Sequence, residues 1–152
     1  HILFSCSRLK TPDLRLIDPG GQTMAAFRRF EDILAWQKAR EITETIYRET
    51  LRGDLAKDFE LRGQIRRASI SIMANIAEGF GRRSNKEFSN FLNMAHGSAA
   101  EVQCHLYIAL DMNYITKEDF EMLYQKADEV SKMIQSFMNY LNNPLTQYLC
   151  SL

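Results

Sequence analysis

The sequence predicts an all-α fold, an antiparallel up-down bundle of four helices. Three observations carry this. From Met24 onward, apolar residues recur at spacings of three and four over long stretches. Glycine and proline almost vanish from those stretches, and Pro144 is the last proline. Capping residues and turn signals punctuate them at short intervals. No strand-like alternation of useful length competes.

The first helix is expected from about Asp32 to Leu51, with Trp36, Ala39, Ile42, Ile46 and Thr50 along one face. Arg52 and Gly53 open a loop. The second runs from about Leu61 to Glu78 on a stripe of Leu61, Ile65, Ala68, Ile72 and Ile76. Gly79 and Gly81 read as its stop, because glycine accepts the left-handed conformation.

The third helix begins at Ser84. Ser84-Asn85-Lys86-Glu87 fits a capping box, in which hydroxyl and carboxylate each serve a free backbone N–H. Phe88, Phe91, Ala95, Ala99, Val102, Leu106 and Ala109 hold the period to Leu110, and Asn113 is a plausible left-handed stop. The fourth starts at Thr116, with Asp119 three residues on. Phe120, Leu123, Ala127, Val130, Ile134, Phe137 and Leu141 form an a/d seam, and Asn142, Asn143 and Pro144 end it. Short connections between such helices give an antiparallel bundle.

The 152 residues suit one domain, 45% hydrophobic and 25% charged. Nineteen basic and nineteen acidic residues cancel, so no global field draws the chain to a polyanion. Binding of that kind needs a local patch. Cys6, Cys104 and Cys150 lack metal or disulfide spacing, as expected of free thiols in a reducing cytoplasm. No apolar run is long enough to span a membrane.

Residues 1–23 lack a sustained period and carry Pro12, Pro19, Gly20 and Gly21. They read as a disordered or mis-called extension, with Met24 as the natural start. The bundle is expected over 24–143 and a tail over 144–152.

The helices hold more apolar surface than one core needs. Ile70, Met73 and Ala77 lie off the stripe of the second helix, and Phe80 follows them. Tyr107, Ile108, Met122, Met133, Met138 and Tyr140 lie off the other seams. Either the core stripe is wide, or this surface joins copies of the chain, with Ile70, Met73 and Phe80 at the contact.

Arg62, Arg66, Arg67, Arg82, Arg83 and Lys86 form the strongest charge feature. From Arg52 to Asn90 there are eight basic and five acidic residues. The last three sit at the turn into the third helix, whose N-terminus favours anions. These residues either bind nucleic-acid phosphates or pair with Glu78, Glu87 and Glu101. Asn75 and Glu78 are expected to fix the turn or bundle through hydrogen bonds, with Arg67 or Arg82 as partners. Glu101 and His105 are four apart, and His96 is nine from His105. That does not match the Glu-x-x-His pairs of di-iron bundles, so no metal or other cofactor is expected. No hydrolase triad, zincin motif or P-loop occurs, so the protein is expected not to be an enzyme.

The stretch Gln64 to Ser84 reads QIRRASISIMANIAEGFGRRS and runs on through Asn85-Lys86-Glu87-Phe88. With Phe30-Glu31-Asp32-Ile33, Trp36-Gln37-Lys38-Ala39 and Ala95-His96-Gly97-Ser98 to Glu101, it resembles bacterial four-helix-bundle proteins encoded by intervening sequences in large-subunit rRNA genes. That family was formerly labelled a ribosomal protein. The resemblance covers about Phe27 to Leu141. It implies a bundle that assembles as a homopentameric ring. It also implies a relation to the accessory protein of diversity-generating retroelements, which works beside a reverse transcriptase and is thought to bind nucleic acid. The extension before Met24 departs from the family. So do Ala99-Ala100 and Gln103-Cys104-His105, where a Leu- and Glu-rich run is usual. The function expected is a non-enzymatic scaffold that binds RNA or DNA. The alternative is an adaptor docking a protein such as a reverse transcriptase.

Overall fold

The computed structural model describes residues 27–144, so the extension 1–23, Met24 and nearly all of the 144–152 tail lie outside the described residues. A single 3-10 turn, Phe30–Asp32, leads into α1, Leu34–Glu49. Then come α2, Phe59–Phe80, α3, Asn85–Asp111, and α4, Lys117–Leu141. No strand occurs among the described residues. Each helix packs against the next, and α1 closes the bundle against α4.

Cross-helix contacts fix the antiparallel order. Thr43 Oγ1 in mid-α1 donates to the Ser69 carbonyl in mid-α2 at 3.2 Å. Phe88, at the start of α3, stands edge-on to Phe80 at the end of α2 and to Phe137 near the end of α4. Phe27, ahead of α1, meets Phe137 with ring centres 6.2 Å apart. One end of the bundle thus holds the start of α1, the end of α2, the start of α3 and the end of α4.

The stripe expected on α2 is buried throughout, together with Ser69 and Gly79. On α1, Ala35 takes the core position and Trp36 sits half-exposed on its flank. On α3, Leu92 is buried and Phe91 only partly so. Met138 joins the core rather than an outer face, because it lies within one turn of Ile134 and Leu141 and widens their stripe. Met133 and Tyr140 pack against the same cluster, half-buried. A smaller cluster of Leu55, Leu61 and Ala109, flanked by Tyr114, closes the opposite end.

The ends are fixed locally. α1 begins without a side-chain cap at Ile33. Its lead-in is held by Asp32, whose Oδ2 accepts from the Arg28 and Arg29 N–H groups at 3.0 and 3.1 Å. Asp58 caps α2 by accepting from the Leu61 N–H at 2.9 Å. Ser84 and Thr116 accept from the N–H groups of Glu87 and Asp119. In both, the carboxylate three residues on takes the hydroxyl proton instead of reaching back to the backbone. Asn113 does adopt a left-handed conformation, φ 57°. Gly79 and Gly81 do not: Gly79 is helical and Gly81 has φ −74°. Gly79 instead serves close packing. A Cβ there would fall 2.6 Å from Phe88 Cδ2 and 2.7 Å from Phe91 Cβ.

Candidate nucleic-acid interface

The basic residues of the second helix do not form one patch. Arg66 lies 14 residues before the end of α2 at Phe80, roughly 21 Å at about 1.5 Å per residue, and Arg82 lies beyond that end. Arg62 and Arg66 lie at the end that holds the α1–α2 loop, and both are occupied. Arg62 Nη1 donates to the Ala56 carbonyl at 2.6 Å, and its guanidinium stands 4.7 Å over the Phe59 ring. Arg66 Nε donates to Thr50 Oγ1 at 2.8 Å, and its guanidinium covers the Tyr47 ring at 4.5 Å. Arg66 closes the end of α1, and Arg62 holds the loop that follows it. Arg67 is exposed on α2 and folds back beside Gly63, so that a Cβ on Gly63 would lie 3.3 Å from its Nη1.

Arg82, Arg83 and Lys86 occupy the other end, where the chain turns from α2 into α3. Arg82 pairs with Glu78 through Nη2 and lies 4.6 Å over the Phe91 ring. Arg83 and Lys86 are exposed, and their side chains have no acceptor among the described residues. Ser84 stands between them as the cap of α3. Glu87 accepts from the Ser84 hydroxyl at 2.9 Å and forms an ion pair with neither cation.

The antiparallel order brings two further cations to this end. Arg28 and Arg29 precede α1, and the 3-10 turn they enter touches α2. Both are exposed, and among the described residues Arg29 pairs with Glu31, at 4.0 Å. Arg28, Arg29, Arg82, Arg83 and Lys86 outnumber Glu31, Asp32, Glu78 and Glu87, each of which already has a partner. Sequence reasoning missed Arg28 and Arg29 because they lie more than fifty residues from Arg82. The signal available was the up-down order itself, which sets the start of the first helix beside the end of the second.

Asn75 bonds to neither arginine proposed for it. Its Nδ2 donates to the Ser71 carbonyl at 2.8 Å and contacts Ser71 Oγ at 3.1 Å. Ser71 Oγ in turn lies 2.9 Å from Ser98 Oγ on α3. Asn75 therefore belongs to a polar link between α2 and α3. Glu101 Oε1 faces His105 Nε2 at 3.3 Å, and His105 Nδ1 is buried with no partner among the described residues. No group of three His, Cys, Asp or Glu side chains gathers among the described residues. Cys104 is an exposed free thiol. Ile70 is 44% exposed, while Met73 and Phe80 are half-buried against the core.

The family model for the 23S rRNA-intervening sequence protein matches residues 31–136. The chain belongs to that family. Within the 23S rRNA-intervening sequence proteins it is similar to a protein of unknown function from the S23 ribosomal protein family of Bacteroides thetaiotaomicron. That crystal structure shares 29% identity, covers 72% of this chain and 98% of its own, and superposes with a TM-score of 0.66. No curated protein matches the chain. In this family member, the QIRRA…GRRS block spans α2 and the turn into α3, so one stretch supplies core, close helix contact and the basic end. Among the described residues, no helix is long and apolar enough to cross a membrane.

Proposed function

We propose that this protein is a non-enzymatic, homo-oligomeric helical scaffold that binds nucleic-acid phosphates at the bundle end carrying Arg82, Arg83 and Lys86. One observation carries the reading. Arg83 and Lys86 are exposed cations with no acceptor among the described residues, and they flank the capped N-terminus of a 27-residue helix. Arg28 and Arg29 extend the same surface. Arg62 and Arg66 drop out, because protein groups already engage them. Guanidinium and ammonium groups at a helix end meet phosphate oxygens rather than base edges, so sequence preference is weak.

Ile70 supports self-association. It is a large apolar side chain exposed in mid-helix, next to half-buried Met73. The family resemblance gives five copies, and a ring would repeat the basic end around one axis. A neutral subunit would then present a concentrated local charge. The compartment proposed is the cytoplasm.

The test is a fluorescence-anisotropy titration with a structured RNA and a matched DNA duplex at low and physiological salt. Saturable binding that weakens steeply with salt is expected, through counterion release. Absence of binding at low salt removes the reading.

The second reading is an adaptor for a protein partner such as a reverse transcriptase. A separate feature favours it: Tyr107, Phe120 and Tyr124 form an aromatic cluster on α3 and α4, with centroids 4.9 to 5.8 Å apart and Tyr107 half-exposed. It predicts a protein partner retained after nuclease treatment.

A further inference from the structure

We propose that the groove beside Trp36 takes an unstacked nucleobase, so that the ligand at the basic end is single-stranded. This rests on the phosphate-binding reading above and specifies it. The groove runs along the flank of α1 and has a volume of about 540 Å³, within the range of small-ligand pockets. Trp36 and Arg40 line it from α1, and Arg29 lines it from the lead-in. Its place at the start of α1 puts it at the same end of the bundle as Arg82 and Arg83.

The wall is built in advance. Trp36 stands edge-on to Phe30, centroids 5.1 Å apart, which fixes the half-buried indole. The lead-in is tied to α1 by Gln37 Nε2, which donates to the Glu31 carbonyl at 2.8 Å. Arg40 lies four residues beyond Trp36 on the helix, about 6 Å along the axis. It is exposed and has no acceptor among the described residues.

Charge selects the ligand. The three carboxylates lining the groove are each engaged: Glu31 by Arg29, Glu41 by Lys38 at 3.3 Å, and Glu44 by Arg48. Of the two arginines and three carboxylates in the lining, Arg40 is the one charged group with no ion-pair partner among the described residues. A π-face beside a free guanidinium suits a base with its own phosphate. In a duplex both faces of a base are covered by its neighbours, so only an unpaired, splayed base can lie on the indole. Stacking of this kind tolerates any base.

Trp36 is the only tryptophan in the chain, so its emission reports this groove alone. The full chain is titrated with a ten-nucleotide oligothymidylate and with a mixed-sequence DNA duplex. Indole emission and the anisotropy of end-labelled copies are followed together. Saturable quenching by the single strand and none by the duplex is expected. Arg40→Glu and Trp36→Ala each weaken single-strand binding about tenfold, while Trp36→Phe loses less. Circular dichroism confirms that the variants fold. Binding seen by anisotropy without any change in indole emission overturns the groove and leaves the phosphate reading standing. Equal quenching by the duplex overturns the single-strand assignment. No anisotropy change with either probe overturns both.

Discussion

Arg66 Nε donates to Thr50 Oγ1 across a 2.8 Å contact between α2 and the end of α1. Thr50 is buried and passes its own hydroxyl proton to the Ile46 carbonyl at 2.7 Å. The guanidinium thus completes the satisfaction of a helix terminus that glycine does not close. That contact decides which arginines remain for a ligand.

Replacing Arg66 with Ala is expected to lower stability by about 1–2 kcal/mol, since it removes a charge-assisted hydrogen bond and the cover over Tyr47. Nucleic-acid affinity stays unchanged. Urea denaturation and anisotropy on the same variant separate the two effects. A loss of affinity without a loss of stability would return Arg66 to the binding surface.

Gly79→Ala sets two effects against each other. The substitution gains about 1 kcal/mol in helix propensity. It also drives a methyl group to 2.6 Å from Phe88 Cδ2 and 2.7 Å from Phe91 Cβ, and overpacking of this kind costs about 1–3 kcal/mol. The obstacle at 2.7 Å is a β-carbon tied to the backbone of α3, which cannot swing aside as a ring can, so the clash wins. A lower Tm is expected, and a raised Tm would show that α2 and α3 separate without cost.

Much of the fold was legible because its signals are local. The α2 stripe from Leu61 to Ile76 and the α4 seam from Leu123 to Leu141 follow from spacing alone. Ser84 and Thr116 mark their helices by residue type. What was hidden depends on tertiary neighbours. Gly79 looks like a stop until Phe88 is set against it. The core takes Ala35, which is in register with Ala39, Ile42 and Ile46, and leaves the larger Trp36 on the flank against Phe30 of the lead-in. Six basic residues within one stretch of sequence look like one patch, and the length of α2 divides them between two ends.

Asp58 joins two observations that one substitution tests. It caps α2, and its carboxylate lies beside the Tyr114 phenol. Burial first, and then that negative charge, raise the Tyr114 pKa above its ordinary value of 10.0. The fold therefore holds Tyr114 neutral. Its contribution is whole below the unfolded pKa and is lost as pH rises through the folded one. Asp58→Ala is expected to cost about 1 kcal/mol at neutral pH through the lost cap. It should also shift the Tyr114 titration to lower pH, read at 295 nm as the difference from a Tyr114→Phe chain. A tyrosine profile identical to wild type would detach Asp58 from Tyr114.

Self-association is tested at Ile70. On the proposed self-association, Ile70→Asp is expected to dissociate the oligomer while costing the bundle about 1 kcal/mol, since the side chain is 44% exposed. Sedimentation velocity reads the first effect and thermal denaturation the second. An oligomer of unchanged size would move the contact to another face.

The most direct measurement compares the wild-type chain with Arg82→Glu/Arg83→Glu in an anisotropy titration against labelled RNA at low salt. Circular dichroism and sedimentation check that fold and assembly are intact. Binding by the wild type that is abolished in the variant is the predicted result. Equal affinity in the two proteins would contradict the central claim and make a protein partner the leading account of this surface.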